Sequence, residues 1–357
     1  MKMEIIDKIS YATEASLLCV GYVNGKSNNE IIDRILKKEK NPLAKQYTKT
    51  ILKIMNEVNE LQSGYHDILE KYYQKIPGLE CTIIESLFID LYEKRCNSLE
   101  EYEKQLSKLN QEEINYILMN NLNNEIFLKD INVVTTSELF KVIRQLNIED
   151  KMQLLLIDIA INWQEHLEVL KPLFTKIVKL LKKYTKELNE INQFGITNIK
   201  AQSNLLAQLE NAASFRFDDI TQYEFEIGTM IFQPFFVTMK ISNNEKQVFL
   251  NYGALFNFEY VAIKKELTKE NILELTKILA DPTKLEILKL LAKGRAYGKE
   301  IVDETGLTPA TISHHMQALN HANFVSVHLE MNKTYYQIEK DNILLGINRI
   351  KDYIEEL

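Results

Sequence analysis

Cysteine, glycine and proline are scarce, at 3, 11 and 6 of 357 residues. The cysteines, Cys19, Cys81 and Cys96, show no paired spacing. That excludes a disulfide framework and fits a reducing compartment, so a cytoplasmic location is expected. Long apolar runs are missing too. No stretch reaches the roughly 20 residues a membrane helix needs, and Glu4 and Asp7 interrupt the first apolar stretch, unlike a secretory signal. No membrane partner is expected. Excess positive charge is absent: the formal net charge is −7. This excludes nonspecific coating of nucleic acid and leaves only a local binding surface open. HExxH and GxSxG patterns are absent as well. No enzymatic activity and no cofactor are expected.

What is present divides into three textures. Residues 79–194 hold no glycine and a single proline, Pro172. Sequence so free of breakers favours long helices. Ile83/Leu87/Leu91 and Leu154/Ile157/Ile161 have helical spacing, and Leu167, Leu170, Phe174, Ile177, Leu181 and Tyr184 make a sustained stripe. Lysines 171, 176, 179, 182, 183 and 186 fill the other faces and read as a solvated surface. Residues 1–78 read as a strand or short helix followed by several helices. Residues 214–262 are rich in Phe, Tyr, Val and Thr. There 223–227 alternates, 234–241 reads as a strand, 243–245 as a turn and 247–252 as its hairpin partner. The expected fold class is therefore mainly α with a small antiparallel β segment (α+β). The expected domains are a helical domain at 1–213, a small antiparallel β region at 214–263 and a third domain at 268–357, with Lys264–Glu270 as a charged connector.

That third domain carries the sharpest signal. Asp281-Pro282 ends one helix and caps the next, because Asp accepts free N–H groups and Pro lacks one. Leu285, Ile287, Leu288, Leu290 and Leu291 then predict a helix buried on a wide face, stopped by Lys293-Gly294. A short helix over 298–305 closes at Gly306. Thr308-Pro309 opens another helix, with Ile312, Met316 and Leu319 as its inner stripe. At about 100° per residue, Ala310, His314, Gln317 and His321 fall on the opposite face, flanked by Thr311 and Ser313. Short polar side chains suit a helix lying close to base edges, and Thr308 at the helix start suits a phosphate. Residues 324–329 and 334–338 alternate as two strands of a hairpin, with Lys333 near its tip. Helix, turn, helix, turn, helix, hairpin is the order of a winged helix-turn-helix.

The stretch resembles the ArsR/SmtB family of bacterial transcriptional regulators. The matching residues are Leu279-Ala280-Asp281-Pro282-Thr283-Lys284-Leu285, then Ile287-Leu288 and Leu290-Leu291, then 307–316, and Tyr335-Tyr336 in the wing. It covers about one fifth of the chain. The resemblance implies a homodimer that binds a near-palindromic duplex operator and answers a ligand signal, with repression the expected output. Its DNA-facing residues would be Thr308, Ala310, Thr311, Ser313, His314, Gln317 and Lys333. Dimer contacts are expected from Ile272, Leu275 and Leu279 in the helix before Asp281, and from the stripe Ile343, Ile347, Ile350 and Ile354 in the last helix. Some family members carry a long N-terminal extension ending in a β segment, and this chain is similar in layout; that extension would sense a small molecule or add a dimer surface.

The chain departs from the family in two respects. The helix 308–321 contains no Lys or Arg, and the wing offers Glu330 and Lys333 where arginines are common. Lys293, Arg295 and Lys299 are the cations nearest in sequence to compensate. The family's metal chemistry is missing as well: 295–299 holds no Cys and 341–357 no His. His314, His315, His321 and His328 cluster in sequence, but neighbours on one helix point about 100° apart, so no metal site is expected. Gly21 to Ser27 imitates a phosphate loop with three residues between its glycines where four are required. Leu154–Asp158 imitates the strand that would accompany it, and Trp163 with His166 reads as ordinary helix. Two rival readings stay open: a winged-helix scaffold for protein contacts, and an enzyme-like ligand-binding domain fused to a winged helix.

Overall fold

A computed structural model describes residues 2–25, 32, 35–37, 39–77, 79, 81–88, 95–122, 134–202, 205–206, 208, 215–217, 220–242, 246–257, 269–330 and 333–355. The chain divides into two bodies. The N-terminal body comprises Met1–Leu122, Ile131–Ser203 and Thr221–Asn257; the second comprises Asn123–Asp130, Asn204–Ile220 and Phe258–Leu357. The chain thus enters the second body three times, at 123, 204 and 258, and returns to the first at 131 and 221.

The N-terminal body is a helical layer on a four-stranded sheet. Its helices are α1 (Tyr11–Asn24), α2 (Pro42–Ser63), α3 (His66–Tyr73), α4 (Leu99–Leu106), α5 (Gln111–Leu122), α6 (Thr136–Gln145), α7 (Asp150–Leu181) and α8 (Thr185–Ala201). Helix dominates 79–194 as expected, in shorter pieces. Short polar side chains, not glycine, make the breaks. Ser98 caps α4, Asn110 accepts the N–H groups of Glu112 and Glu113, and Thr135 with Glu138 forms a capping box on α6. Among the described residues α7 is the longest helix, at 32 residues, with Pro172 inside it and a non-helical Asn162. Its buried face runs through Leu156, Ile159, Trp163, Leu167, Leu170, Phe174, Ile177 and Leu181. Burying each large apolar chain contributes about 1.5–3 kcal/mol. The expected 154/157/161 stripe is a correction: Leu154 and Ile161 are exposed, because the core-facing register passes through Leu156, Ile159 and Trp163.

The sheet consists of β1 (Lys2–Ile5), β3 (Glu224–Met230), β5 (Gln247–Gly253) and β4 (Val237–Ser242), in that spatial order; β2 (Phe215–Phe217) belongs to the other body. The 237–253 hairpin is antiparallel as expected, with Met239 opposite Leu250. The rest differs. β1 and β5 both pair with β3 in parallel, Met3 opposite Phe225 and Phe225 opposite Val248. The 214–263 region is accordingly not a separate unit: the first strand of the chain completes its sheet, and α8 packs against β3 and β5. A parallel partner more than 200 residues away leaves no local turn signal to read.

Several polar groups buried in this body are paired across long sequence separations. Glu14 is buried and accepts the N–H groups of Ile231 and Phe232 at 2.9 and 3.1 Å. Burial pushes its pKa up to about 7, against the pull of those two bonds and of Arg95. Arg95 donates to Glu226 at 3.2 Å and to Asn251 at 3.1 Å. Its guanidinium occupies the space where a side chain at Gly228 would stand. His166 is core, not surface: Nδ1 lies 2.7 Å from the Tyr72 hydroxyl and Nε2 3.2 Å from Asp158 Oδ2. Of the imitation phosphate loop, Gly21–Asn24 is α-helical, and Lys26 and Ser27 lie outside the described residues. Leu154–Asp158 lies within α7.

The second body contains α9 (Lys269–Leu279), α10 (Pro282–Leu291), β6 (Ala296–Tyr297), α11 (Gly298–Thr305), α12 (Pro309–His321), β7 (Val325–Glu330), β8 (Lys333–Ile338) and α13 (Lys340–Glu355). Its sheet runs β2-β7-β8-β6. β7 and β8 form the expected hairpin, Val327 opposite Tyr336. β2 was not anticipated: it joins β7 in parallel, with Arg216 opposite His328. Ile287, Leu288 and Leu291 of α10 are buried, while Leu285, expected inside, is exposed because the buried arc is narrower than its five apolar residues allow. Gly306, with φ of 69°, ends α11 in the left-handed conformation that glycine adopts without penalty. Among the described residues no helix is long and apolar enough to cross a membrane.

Candidate nucleic-acid interface

The interface centres on α12. Thr308 is its N-cap: Oγ1 accepts the Thr311 N–H at 3.2 Å and lies 2.8 Å from Thr311 Oγ1, and Pro309 occupies the first turn. Ile312, Met316 and Leu319 are buried, and α10, α11 and β7 pack against this helix. The opposite side is therefore fixed. His314 and His321 are exposed there, and Thr311 and Gln317 are half-buried. The side chains of Ala310 and Lys333 lie outside the described residues.

Ser313 is the correction. It is only 6 % exposed, and its Oγ has no hydrogen-bond partner among the described residues. The reason is its place on the wheel. Ser313 sits about 100° from Ile312, on the shoulder it shares with Asn320. The Asn320 amide donates to Val325 O at 3.2 Å. That shoulder turns toward β7 rather than outward.

His315 lies on the other shoulder. Its Nδ1 is 3.9 Å from Asp281 Oδ2, and burial lowers its pKa, with the Lys284 charge adding to the effect. Asp281 in turn caps α10, accepting the Lys284 N–H at 3.0 Å and the Lys284 ammonium at 2.7 Å. His328 Nε2 lies 3.1 Å from Ser326 Oγ. Among the described residues no three His, Cys, Asp or Glu side chains gather as a metal site.

The wing contributes an aromatic cluster. Val325, Val327 and Tyr336 face inward and are buried. On the alternate side, Tyr297 meets Tyr335 edge-on at 5.8 Å, and the Arg295 guanidinium lies 5.2 Å from the Tyr335 ring centre. Arg295 was expected as a cation, and its seat on Tyr335 was not anticipated. The available signal was the two-residue spacing of Arg295 and Tyr297 beside the short strand β6.

α9 packs against α13. Ile272 is buried within the chain, so it is not an exposed dimer contact as expected; α13 already covers its side of α9. Leu275, Leu279, Ile343 and Ile350 are half-buried, and Ile347 and Ile354 are exposed. Leu273, Leu344 and Leu345 are also exposed and were not expected.

A recognition helix capped at Thr308, supported by two shorter helices and flanked by a hairpin wing, defines a winged helix-turn-helix regulator that binds DNA. The comparisons then specify which kind. The profile for bacterial regulatory proteins of the arsR family matches residues 281–327. The arsenical resistance operon repressor of Staphylococcus aureus is 34% identical over 77 residues, covering 21% of this chain and 74% of that protein. An uncharacterized HTH-type transcriptional regulator of Methanocaldococcus jannaschii is 39% identical over 75 residues, 21% of this chain and 84% of its own. The transcriptional repressor SdpR of Bacillus subtilis is 29% identical over 80 residues, 22% of this chain and 89% of its own. The chain belongs to the ArsR family of bacterial regulatory proteins. No solved structure matches it.

Proposed function

We propose that the protein is a sequence-specific repressor that binds a near-palindromic operator as a homodimer. The observation that carries this is α12: its apolar stripe is buried and His314 stands exposed on the other side, with Gln317 and Thr311 half-exposed beside it. His314, Gln317, Thr311 and Ala310 are assigned to base edges, and Thr308 and Lys333 to phosphates. Leu273, Leu344, Leu345, Ile347 and Ile354 form the dimer surface, since a monomer would leave these side chains in water. Two of the relatives are named repressors, which supports that output.

The N-terminal body acts as the sensor. A small-molecule effector is favoured over a thiophilic metal, because Cys19 is buried and its thiol is pushed up to about 12, far from the thiolate a soft metal needs. No catalytic role is assigned to any residue.

The test is enrichment of duplexes from a random library by the full-length protein, followed by fluorescence anisotropy on the selected sequence. Selected DNA should hold against random competitor. His314→Ala with Gln317→Ala should lose at least about 30-fold on it, since two base contacts at ~1–3 kcal/mol each sum to ~2 kcal/mol or more. A library that shows no enrichment overturns the reading.

A further inference from the structure

Phosphate contacts supply most of a protein's affinity for duplex DNA. Yet α12 contains neither Lys nor Arg, and the whole chain carries a net charge of −7. Cations for the backbone must come from outside the recognition helix. Lys284 of α10 is committed to Asp281 at 2.7 Å. The turn between α10 and α11 and the first turn of α11 present three exposed cations, Lys293, Arg295 and Lys299.

Arg295 differs from the two lysines. β6 pairs with β8, Ala296 opposite Tyr336 and Tyr297 opposite Tyr335. Ala296 and Tyr336 are buried, so Arg295 and Tyr297, one residue to either side of Ala296, share the outer side of that strand. There the guanidinium lies 5.2 Å from the Tyr335 ring centre, and Tyr297 braces the same ring from its edge. A planar cation is held at the root of the wing. A guanidinium can give two parallel hydrogen bonds to one phosphate, and a pre-seated side chain loses less freedom when it does so.

We propose that Arg295, seated on Tyr335, grips a backbone phosphate of duplex DNA beside the bases read by α12. The assignment rests on the DNA-reading role proposed above. It makes the hairpin root a source of sequence-independent affinity, while α12 supplies selectivity.

The experiment is a salt series of anisotropy titrations with the full-length protein on both the selected duplex and a random one. Arg295→Ala should weaken both by the same factor, about fivefold at 0.15 M salt, and reduce the log–log salt slope by about 0.9. Arg295→Lys should keep the slope and lose about two- to fivefold, because the charge stays and the ring seat is lost. Lys289→Ala, the same charge change on exposed α10, should leave the slope as it is. Unchanged thermal midpoints show that the variants fold. If wild type binds and Arg295→Ala matches it, or matches Lys289→Ala, the phosphate assignment is wrong while the reading of α12 stands. If wild type binds neither duplex, both fall.

Discussion

Glu14 in the N-terminal body and Asp281 in the winged-helix body both hold backbone N–H groups with a carboxylate, in different settings. Glu14 is buried, accepts from Ile231 and Phe232, and titrates at about 7 because burial outweighs those bonds. For Asp281, partial burial also pulls the pKa upward, but the Lys284 N–H and ammonium more than offset it, and the pKa falls below its ordinary value. The same functional group therefore works in opposite directions. A raised acid pKa means the folded state prefers the proton, so the stability tied to Glu14 is complete below about 4.5 and is lost as pH rises through about 7. A depressed one means the folded state prefers the anion, so the stability tied to Asp281 is present above 3.8 and lost as pH falls below it. The cap on α10 is thus in force at neutral pH, whereas the N-terminal body is weakened by its own buried carboxylate there.

The largest effect that tests this contrast is at Glu14. A shift from 4.5 to about 7 corresponds to roughly 3 kcal/mol of stability lost between acid and neutral pH. Trp163, the single tryptophan, is buried in α7 and reports on this body. Urea unfolding followed by its fluorescence should show Glu14→Gln with a flatter pH profile than wild type between pH 5 and 8. Equal slopes in the two proteins would remove Glu14 from the account.

A smaller effect comes from Asp281→Ala, which removes the α10 cap and the Lys284 partner. It should cost about 1–2 kcal/mol, read as faster hydrogen exchange in α10. The contrast would break if the Trp163 curve moved by the same amount.

Smallest of all is Ser313→Ala. It deletes a buried hydroxyl that has no partner among the described residues. Stability should stay level or rise by about 0.5–1 kcal/mol, and affinity for the selected duplex should stay within twofold. A tenfold loss of binding would return Ser313 to the DNA face.

The two bodies were also unequally legible in sequence. Apart from β2 and the packing of α9 on α13, the winged helix is built from elements close in sequence, and its boundaries are written in caps such as Asp281-Pro282 and Thr308-Pro309. Its internal stripe Ile312, Met316 and Leu319 follows from spacing alone. Ser313 was misplaced because a polar residue beside that stripe was assigned to the DNA-facing side, whereas serine is small enough to be buried on the shoulder toward β7. In the N-terminal body the parallel pairing of β1 with β3, and the approach of Arg95 to Gly228, join residues far apart in sequence. Periodicity carries no trace of such partners. The register of α7 was missed for a related reason. It contains apolar residues at Leu154, Ile157 and Ile161 as well as at Leu156, Ile159 and Trp163, and only the packing of other helices selects the second set.

β2 has a practical consequence for anyone who trims this protein. The winged helix looks like a tail that could be cut off near residue 258, but Phe215–Phe217 is hydrogen-bonded along β7 and lies upstream of that cut. A fragment starting at 268 would leave β7 with a bare row of N–H and C=O groups, a template on which other chains can pair. The excised fragment should therefore associate through that open strand, and its oligomeric state would say little about that of the intact protein.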